Sequence, residues 1–278
     1  MDTETEPQQV PIQVVVLTDF SDKSIFAVNH GKEMCRMLER GMTLAYFDNE
    51  KNEDETLLQD KYKAFIDKAG VDAKFHIIKG KPAKGFEDVV PQVNAIIVVA
   101  CINTEDKNSL FAPANLLKIL HHSRIPYLLV NDDLKEPLLY KHLVLPIDST
   151  KESKEKVLWA SYFGRFNESK VSVLAGHYKD EYLLKYLNNN LKFINKMFNN
   201  FEVSFEVIKS THKQDNMDAY ALDYAKENNA GLIIILTTES YSLIDRLKGP
   251  YELKIVTNTY KLPVLCLNRR DDLYVMCD

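Results

Sequence analysis

Two aspartates occupy matching places in the two halves of this 278-residue chain. Asp19 follows Val14-Val15-Val16-Leu17-Thr18, and Asp148 follows Leu143-Val144-Leu145-Pro146-Ile147. Hydroxyls come next in both cases: Ser21 and Ser24 after the first, Ser149 and Thr150 after the second. A carboxylate at the carboxyl end of a buried strand can accept hydrogen bonds from a ligand's hydroxyl or amino groups, because open α/β sheets bind ligands there. The same carboxylate can instead cap a helix or brace the strand end, and residue type leaves both roles open. The candidate cleft comprises Thr18, Asp19, Ile147, Asp148, Thr237 and Gly249. Thr237 and Thr238 supply hydroxyls suited to an anion, with Glu239 beside them arguing for plain surface hydroxyls. Gly249-Pro250 reads either as a glycine whose backbone could approach a phosphate at a helix start or as an ordinary helix start.

No constellation for covalent chemistry is found. There is no G-x-S-x-G elbow, HExxH or Walker loop. The run Asp19-Phe-Ser-Asp-Lys-Ser24 lacks the glycines of a pyrophosphatase-type loop. His121 and His122 are adjacent on a helical pattern, so they point in different directions and suit a helix C-terminus better than a metal. Cys35, Cys101, Cys266 and Cys277 show no CxxC spacing and read as four free thiols. The expectation is therefore a protein that is not an enzyme, with no catalytic and no metal-binding residues.

The elements that must hold the two aspartates follow from periodicity. Short apolar, β-branched runs without alternation suit strands buried on both faces of a parallel sheet. Such runs recur at Thr43–Phe47, Phe75–Ile78, 95–100 and 126–130, and again at Val171–Ala175, Val203–Ile208, Leu232–Thr237 and Pro263–Leu267. Helical patterns separate them: Lys23–Leu38 closed by Gly41, Thr56–Ala69 ended by Gly70, Phe86–Val93 interrupted by Pro91, and a stretch through Leu120. The second half repeats the order with Lys154–Phe163, entered by a Ser149/Glu152 capping box, then Tyr182–Phe198, Met217–Lys226 and Tyr251–Val256. Each half is β-α-β-α-β-α-β-α-β, which requires right-handed parallel crossovers. The fold class is α/β: two tandem doubly wound, five-stranded parallel-sheet domains, residues 1–137 with a flexible tail over 1–11, and residues 138–278. Each half is long enough to bury its own core. The acidic stretch Asp48–Glu55 reads as a solvated loop. The apolar face of Tyr182–Phe198 suits a core, with an interface as the other use.

Net charge is −5, with 45% hydrophobic and 27% charged residues. Neither half has the basic footprint of a nucleic-acid binder, and no run reaches the ~18 apolar residues of a membrane span. Met1–Gln9 is polar and acidic, unlike a signal or transit peptide; the expected location is cytoplasmic.

The tandem resembles the universal stress protein family over nearly its whole length. The resemblance rests on Leu17-Thr18-Asp19-Phe20-Ser21, Ile78-Lys79-Gly80-Lys81-Pro82-Ala83, and Lys254-Ile255-Val256 leading to Leu262-Pro263-Val264-Leu265. It implies a Rossmann-like fold of the adenine-nucleotide α-hydrolase-like class and dimerisation through the last strand. It also implies ATP binding in those members that carry G-x2-G-x9-G-S/T after the fourth strand. That register falls here on Ala100, Asn103, Pro113 and Ala114, and on Leu236, Glu239, Gly249 and Pro250, so one of eight motif residues survives. Glycine lets backbone N–H groups wrap a phosphate, and proline has none to offer. The resemblance thus implies a non-enzymatic stress-response or regulatory module without the glycine-rich ATP site, needing no cofactor. The alternative is a nucleotide (ATP) or other small ligand bound at Asp19 or Asp148 by other contacts. The two halves are expected to pair through Tyr127–Val130 and Val264–Leu267, because exposed apolar edges invite a partner. A homodimer and an unidentified protein partner complete the expected associations.

Overall fold

The computed structural model describes residues 10–48, 54–121, 123–131, 140–210, 217–237 and 251–269. Gly249, Thr238, Glu239, Pro250, His122, Cys277 and the inter-half stretch 132–139 lie outside the described residues. The first half runs β1 (Gln13–Thr18), α1 (Asp22–Leu38), β2 (Gly41–Asp48), α2 (Glu55–Ala69), β3 (Lys74–Lys79), α3 (Pro82–Gln92), β4 (Ala95–Cys101), α4 (Pro113–Leu120) and β5 (Tyr127–Val130). The second runs β6 (His142–Ile147), a 3-10 turn (Glu152–Lys154), α5 (Glu155–Asn167), β7 (Lys170–Ala175), α6 (Glu181–Asn200), β8 (Phe205–Lys209), α7 (Met217–Glu227), β9 (Leu232–Leu236), α8 (Tyr251–Val256) and β10 (Val264–Leu267).

The strands form one ten-stranded sheet in the order β3-β2-β1-β4-β5-β10-β9-β6-β7-β8. Each half has the order 3-2-1-4-5 of a doubly wound unit, with parallel neighbours throughout. Among the described residues the single antiparallel pairing is β5 with β10, Val264 opposite Leu129 and Cys266 opposite Tyr127. The two final strands therefore pair, as their apolar edges require.

That pairing changes where the core lies. Alternate strand residues point to opposite faces, and the two buried clusters are the two faces of the sheet, each continuous through both halves. Val14, Val16, Leu143 and Leu145 pack under α1, α2, α5 and α6. Val15, Leu17, Val144 and Ile233 pack under α3, α4, α7 and α8. The expectation of one core per half is corrected: continuity of the sheet fuses them. Gly31 lets α1 lie close on β1, since a Cβ there would stand 2.6 Å from Val16 Cγ2.

Other expectations shift locally. Gly41 does not close α1; Glu39 takes the left-handed cap conformation (φ 54) and Gly41 opens β2. Asp48 is not in a solvated loop but is the buried last residue of β2. α3 starts at Pro82, whose missing N–H is harmless at a helix start, and Pro91 falls in its last turn. The Ser149/Glu152 capping box does not form, because the chain enters α5 through the 3-10 turn with no side-chain cap. Cys35, Cys101 and Cys266 are free thiols.

Polar side chains lock the seam between the halves. Asn268, just after β10, donates to Leu120 O (2.7 Å) and Ser123 O (2.8 Å), and its Oδ1 accepts from Thr237 Oγ1 (2.5 Å) and Tyr127 OH (3.3 Å). Across the seam, Arg36 Nη2 donates to Asn167 Oδ1 at 2.7 Å, and His30 Nδ1 meets the buried Tyr140 hydroxyl. Stranding partly buried groups costs roughly 1 to 3 kcal/mol each. Asn268→Ala is expected to lower unfolding free energy by about 2 kcal/mol or more, read from the urea midpoint; a change within about 0.5 kcal/mol would refute this role.

Candidate functional site

Both aspartates do the same local work. Asp19 Oδ1 accepts from Ser21 N (3.0 Å) and Ser24 Oγ (2.7 Å), while Asp19 N donates to Ser24 Oγ at 3.1 Å. Asp148 Oδ1 accepts from Thr150 N (2.8 Å) and Thr150 Oγ1 (2.6 Å), while Asp148 N donates to Ser153 Oγ at 3.1 Å. Each is an Asx-type turn between strand end and helix, with Ser24 and Ser153 as counterparts.

Beyond that turn the halves diverge. In the first half Phe20 sits at positive φ (62), a costly backbone state for an aromatic residue, and its ring stacks on Tyr46 with centroids 5.0 Å apart. Thr18 Oγ1 is used locally, accepting from Phe20 N at 2.9 Å. Lys23 crosses to the loop after β4, bonding Asn103 Oδ1 (3.2 Å) and pairing with Glu105 (2.9 Å). Asn103 Oδ1 also accepts from Glu105 N at 3.0 Å. Asn103 Oδ1 is therefore engaged by protein groups, and Pro113 begins α4 without an N–H.

In the second half a cavity of about 350 Å³ opens at the carboxyl end of β6, lined by Pro146, Ile147, Asp148, Lys156, Met217, Asp218 and Tyr251. β6 lies between β9 and β7, so this is the crevice where strand order reverses. Lys156 is the buried charge of the site, only 4% exposed, and its Nζ donates to Pro146 O. It stands where the first half has Ala27, counting from Asp148 and Asp19. Burial pushes its pKa down, opposed by the charges of Asp148 and Asp218. Burial likewise pushes the Asp218 carboxyl up to about 6, against the pull of Lys156 and with the repulsion of Asp148 and Glu252 adding to it. Tyr251, at the start of α8, is raised to about 12, first by burial and then by the same carboxylates.

Of the sequence candidates, Ile147 and Asp148 line this cavity, and Asp19 and Thr18 belong to the first-half turn. Thr237 is 3% exposed and its hydroxyl is engaged by Asn268 and Leu267 O at the seam. Lys156, Asp218 and Tyr251 were missed. A signal existed for the first: Lys156, Ala160, Phe163 and Asn167 share the buried face of α5, and a lysine in that register has a reason to be there.

A serine–histidine contact lies at the opposite end of the sheet, with His142 Nε2 at 2.8 Å from Ser172 Oγ. Ser172 is fully buried and donates to Glu206 Oε1 at 2.9 Å, so it is a packed polar link. Among the described residues no group of three or more His, Cys, Asp or Glu could hold a metal ion. Among them, too, no helix is long and apolar enough to cross a membrane.

Comparison with known proteins places the fold. A universal stress protein from Archaeoglobus fulgidus DSM 4304 superposes with TM-score 0.67 at 15% identity, over 94% of this chain and 97% of that one. A putative universal stress protein from Pseudomonas aeruginosa UCBPP-PA14 does so with TM-score 0.61 at 12% identity, over 96% of each. The cytoplasmic domain of a prokaryotic cation chloride cotransporter reaches 0.53 at 13% identity, over 96% of this chain and all 100% of that one. No protein-family model matches the sequence, and no curated protein matches it. The chain has the tandem α/β fold of universal stress protein structures.

Asp218 makes stability depend on pH with a definite sign. Its folded pKa of about 6 lies above the ordinary 3.8. Below about pH 3 the carboxyl is protonated in both states and contributes nothing. Above about pH 6 the folded state bears the full penalty, up to about 3 kcal/mol. Asp218→Asn, which keeps the shape without the charge, is expected to stabilise the fold at about pH 8, to lose most of that advantage by about pH 4 and all of it by about pH 3. Urea melts across that range check it; a pH-independent difference would contradict the assignment.

Proposed function

We propose that this chain is a tandem universal stress protein acting as a non-enzymatic regulatory module, cytoplasmic, with a small-ligand cleft in its second half and a scaffolding first half. The observation that carries the reading is the cavity at the end of β6, where Lys156 and Asp218 bring opposite charges to a ligand-sized space. Such charges are costly to bury and are retained at functional sites more often than a packed core would demand. The reading excludes the glycine-rich triphosphate site in both halves. Support comes from the first-half loop, whose Asn103 is committed to Lys23 and Glu105, and from the paired carboxylates of Asp148 and Asp218 in the second-half cavity. A like-charge contact at ~4 Å is worth roughly 1 to 4 kcal/mol against binding.

Output through a protein partner fits the fold's likeness to a transporter's cytoplasmic domain. The last strands, by which family members dimerise, are spent on each other within the chain. Edge strands β3 and β8 carry Lys74, Lys79 and Lys209, charges that discourage further edge pairing. A homodimer would need another surface.

Thermal-shift and calorimetric titration of ligand-stripped protein with ATP and Mg²⁺ tests the claim about the triphosphate. No stabilisation is expected at millimolar ATP, whereas ligand at ~100 Kd would contribute about 2.7 kcal/mol. A clear shift abolished by Asp148→Ala or Asp19→Ala would overturn it.

A further inference from the structure

The second-half cleft carries information about its ligand. Lys156 is more than nine-tenths buried, and its ammonium has three protons, of which one goes to Pro146 O. Among the described residues it donates no other hydrogen bond, so two donors are left at the cavity wall. Asp218 lines the same cavity from the first turn of α7 and accepts no hydrogen bond from a described residue. Asp148 has given Oδ1 to Thr150, leaving its second oxygen. Unspent donors and unspent acceptors thus share one space. Its remaining walls are Ile147, Pro146, Met217 and the ring of Tyr251.

Taking that cleft as the chain's ligand site, we propose that it binds a small zwitterion of the α-amino-acid type. The ligand's carboxylate lies on Lys156 Nζ and its ammonium on Asp218 and Asp148, with an apolar side chain against Ile147 and Met217.

The other ligand classes leave something unsatisfied. A phosphate ester satisfies Lys156 but faces two carboxylates. A simple amine satisfies the carboxylates but leaves the buried ammonium short of acceptors, at a cost of the kind that makes buried charges rare. A zwitterion supplies both signs without adding net charge, and 350 Å³ is within the range of small-molecule sites. The pH dependence follows from the groups facing Asp218: Lys156 on α5, Asp148 after β6, Tyr251 and Glu252 on α8, and, farther out through Lys156 and Cys266, Arg269 and β10. Protonating Asp218 removes the ammonium's main acceptor, so affinity should fall as pH drops through about 6.

The test is calorimetric titration of the intact chain, stripped of carried-over ligand, with L-leucine, L-methionine and L-phenylalanine. Each is run beside its methyl ester, which lacks the carboxylate, and its N-acetyl derivative, which lacks the ammonium. At least one free amino acid is expected to bind, with affinity reduced about tenfold or more by either block, a difference of about 1.4 kcal/mol. The same loss is expected in Lys156→Met and Asp218→Asn, with folding checked by urea melts. No binding of any free amino acid, or equal binding of the blocked forms, overturns the inference. Adenosine and AMP, titrated alongside, separate the two levels. If either binds and no amino acid does, the zwitterion is wrong and the cleft stands as a ligand site; if nothing binds, both fall.

Discussion

The antiparallel junction of β5 and β10 is the constraint on which the rest of the structure depends. Tyr127, Leu128, Leu129 and Val130 and their partners Val264, Leu265 and Cys266 are all buried, so neither strand could stand as a free edge without exposing an apolar ladder. Joining them turns two five-stranded sheets into one of ten strands and makes each face a single apolar layer. Helices of the two halves then meet across the seam, and their polar groups must find partners there. Asn268, Asn131 and Asn167 meet that need with side-chain amides, which can donate and accept at once.

Duplication explains the likeness of the halves, and burial explains how they have parted. The Asx turns of Asp19 and Asp148 are near copies because they close the same strand-to-helix connection. One helix turn further on, Ala27 in the first half is replaced by Lys156 in the second. An alanine there packs without consequence, whereas an ammonium withdrawn from water needs acceptors and counter-charges. Asp148 and Asp218 supply the counter-charge, and Asp218 is itself held from easy ionisation by the same burial. The second-half crevice is consequently charged, while in the first half Phe20 packs on Tyr46 and Lys23 reaches the loop after β4.

The alternation of strands and helices, the parallel crossovers it demands and the pairing of the final strands were legible in the sequence. Apolar runs without alternation and helical stripes between them are local patterns that burial on two faces imposes directly. Asp19 and Asp148 were legible as strand-end carboxylates for the same reason. Elsewhere local rules misled. Glu39 rather than Gly41 takes the left-handed cap, and Ser149 does not cap α5, because the loop is set by Asp148, Thr150 and Tyr178. Thr237, a hydroxyl placed well for a ligand by sequence position, is turned into the seam by Asn268, a residue 31 positions away.

By itself, then, the sequence determined the element types, their order and the two aspartates, because these follow from neighbours three or four residues apart or from a repeat visible along the chain. Tertiary structure alone decided what lines the second-half crevice. Lys156, Asp218 and Tyr251 come from three helices up to 95 positions apart, and no periodic pattern links them. Their charges acquire meaning only when β6 ends beneath them and water is excluded, since desolvation is a property of the assembled surroundings and not of the residue.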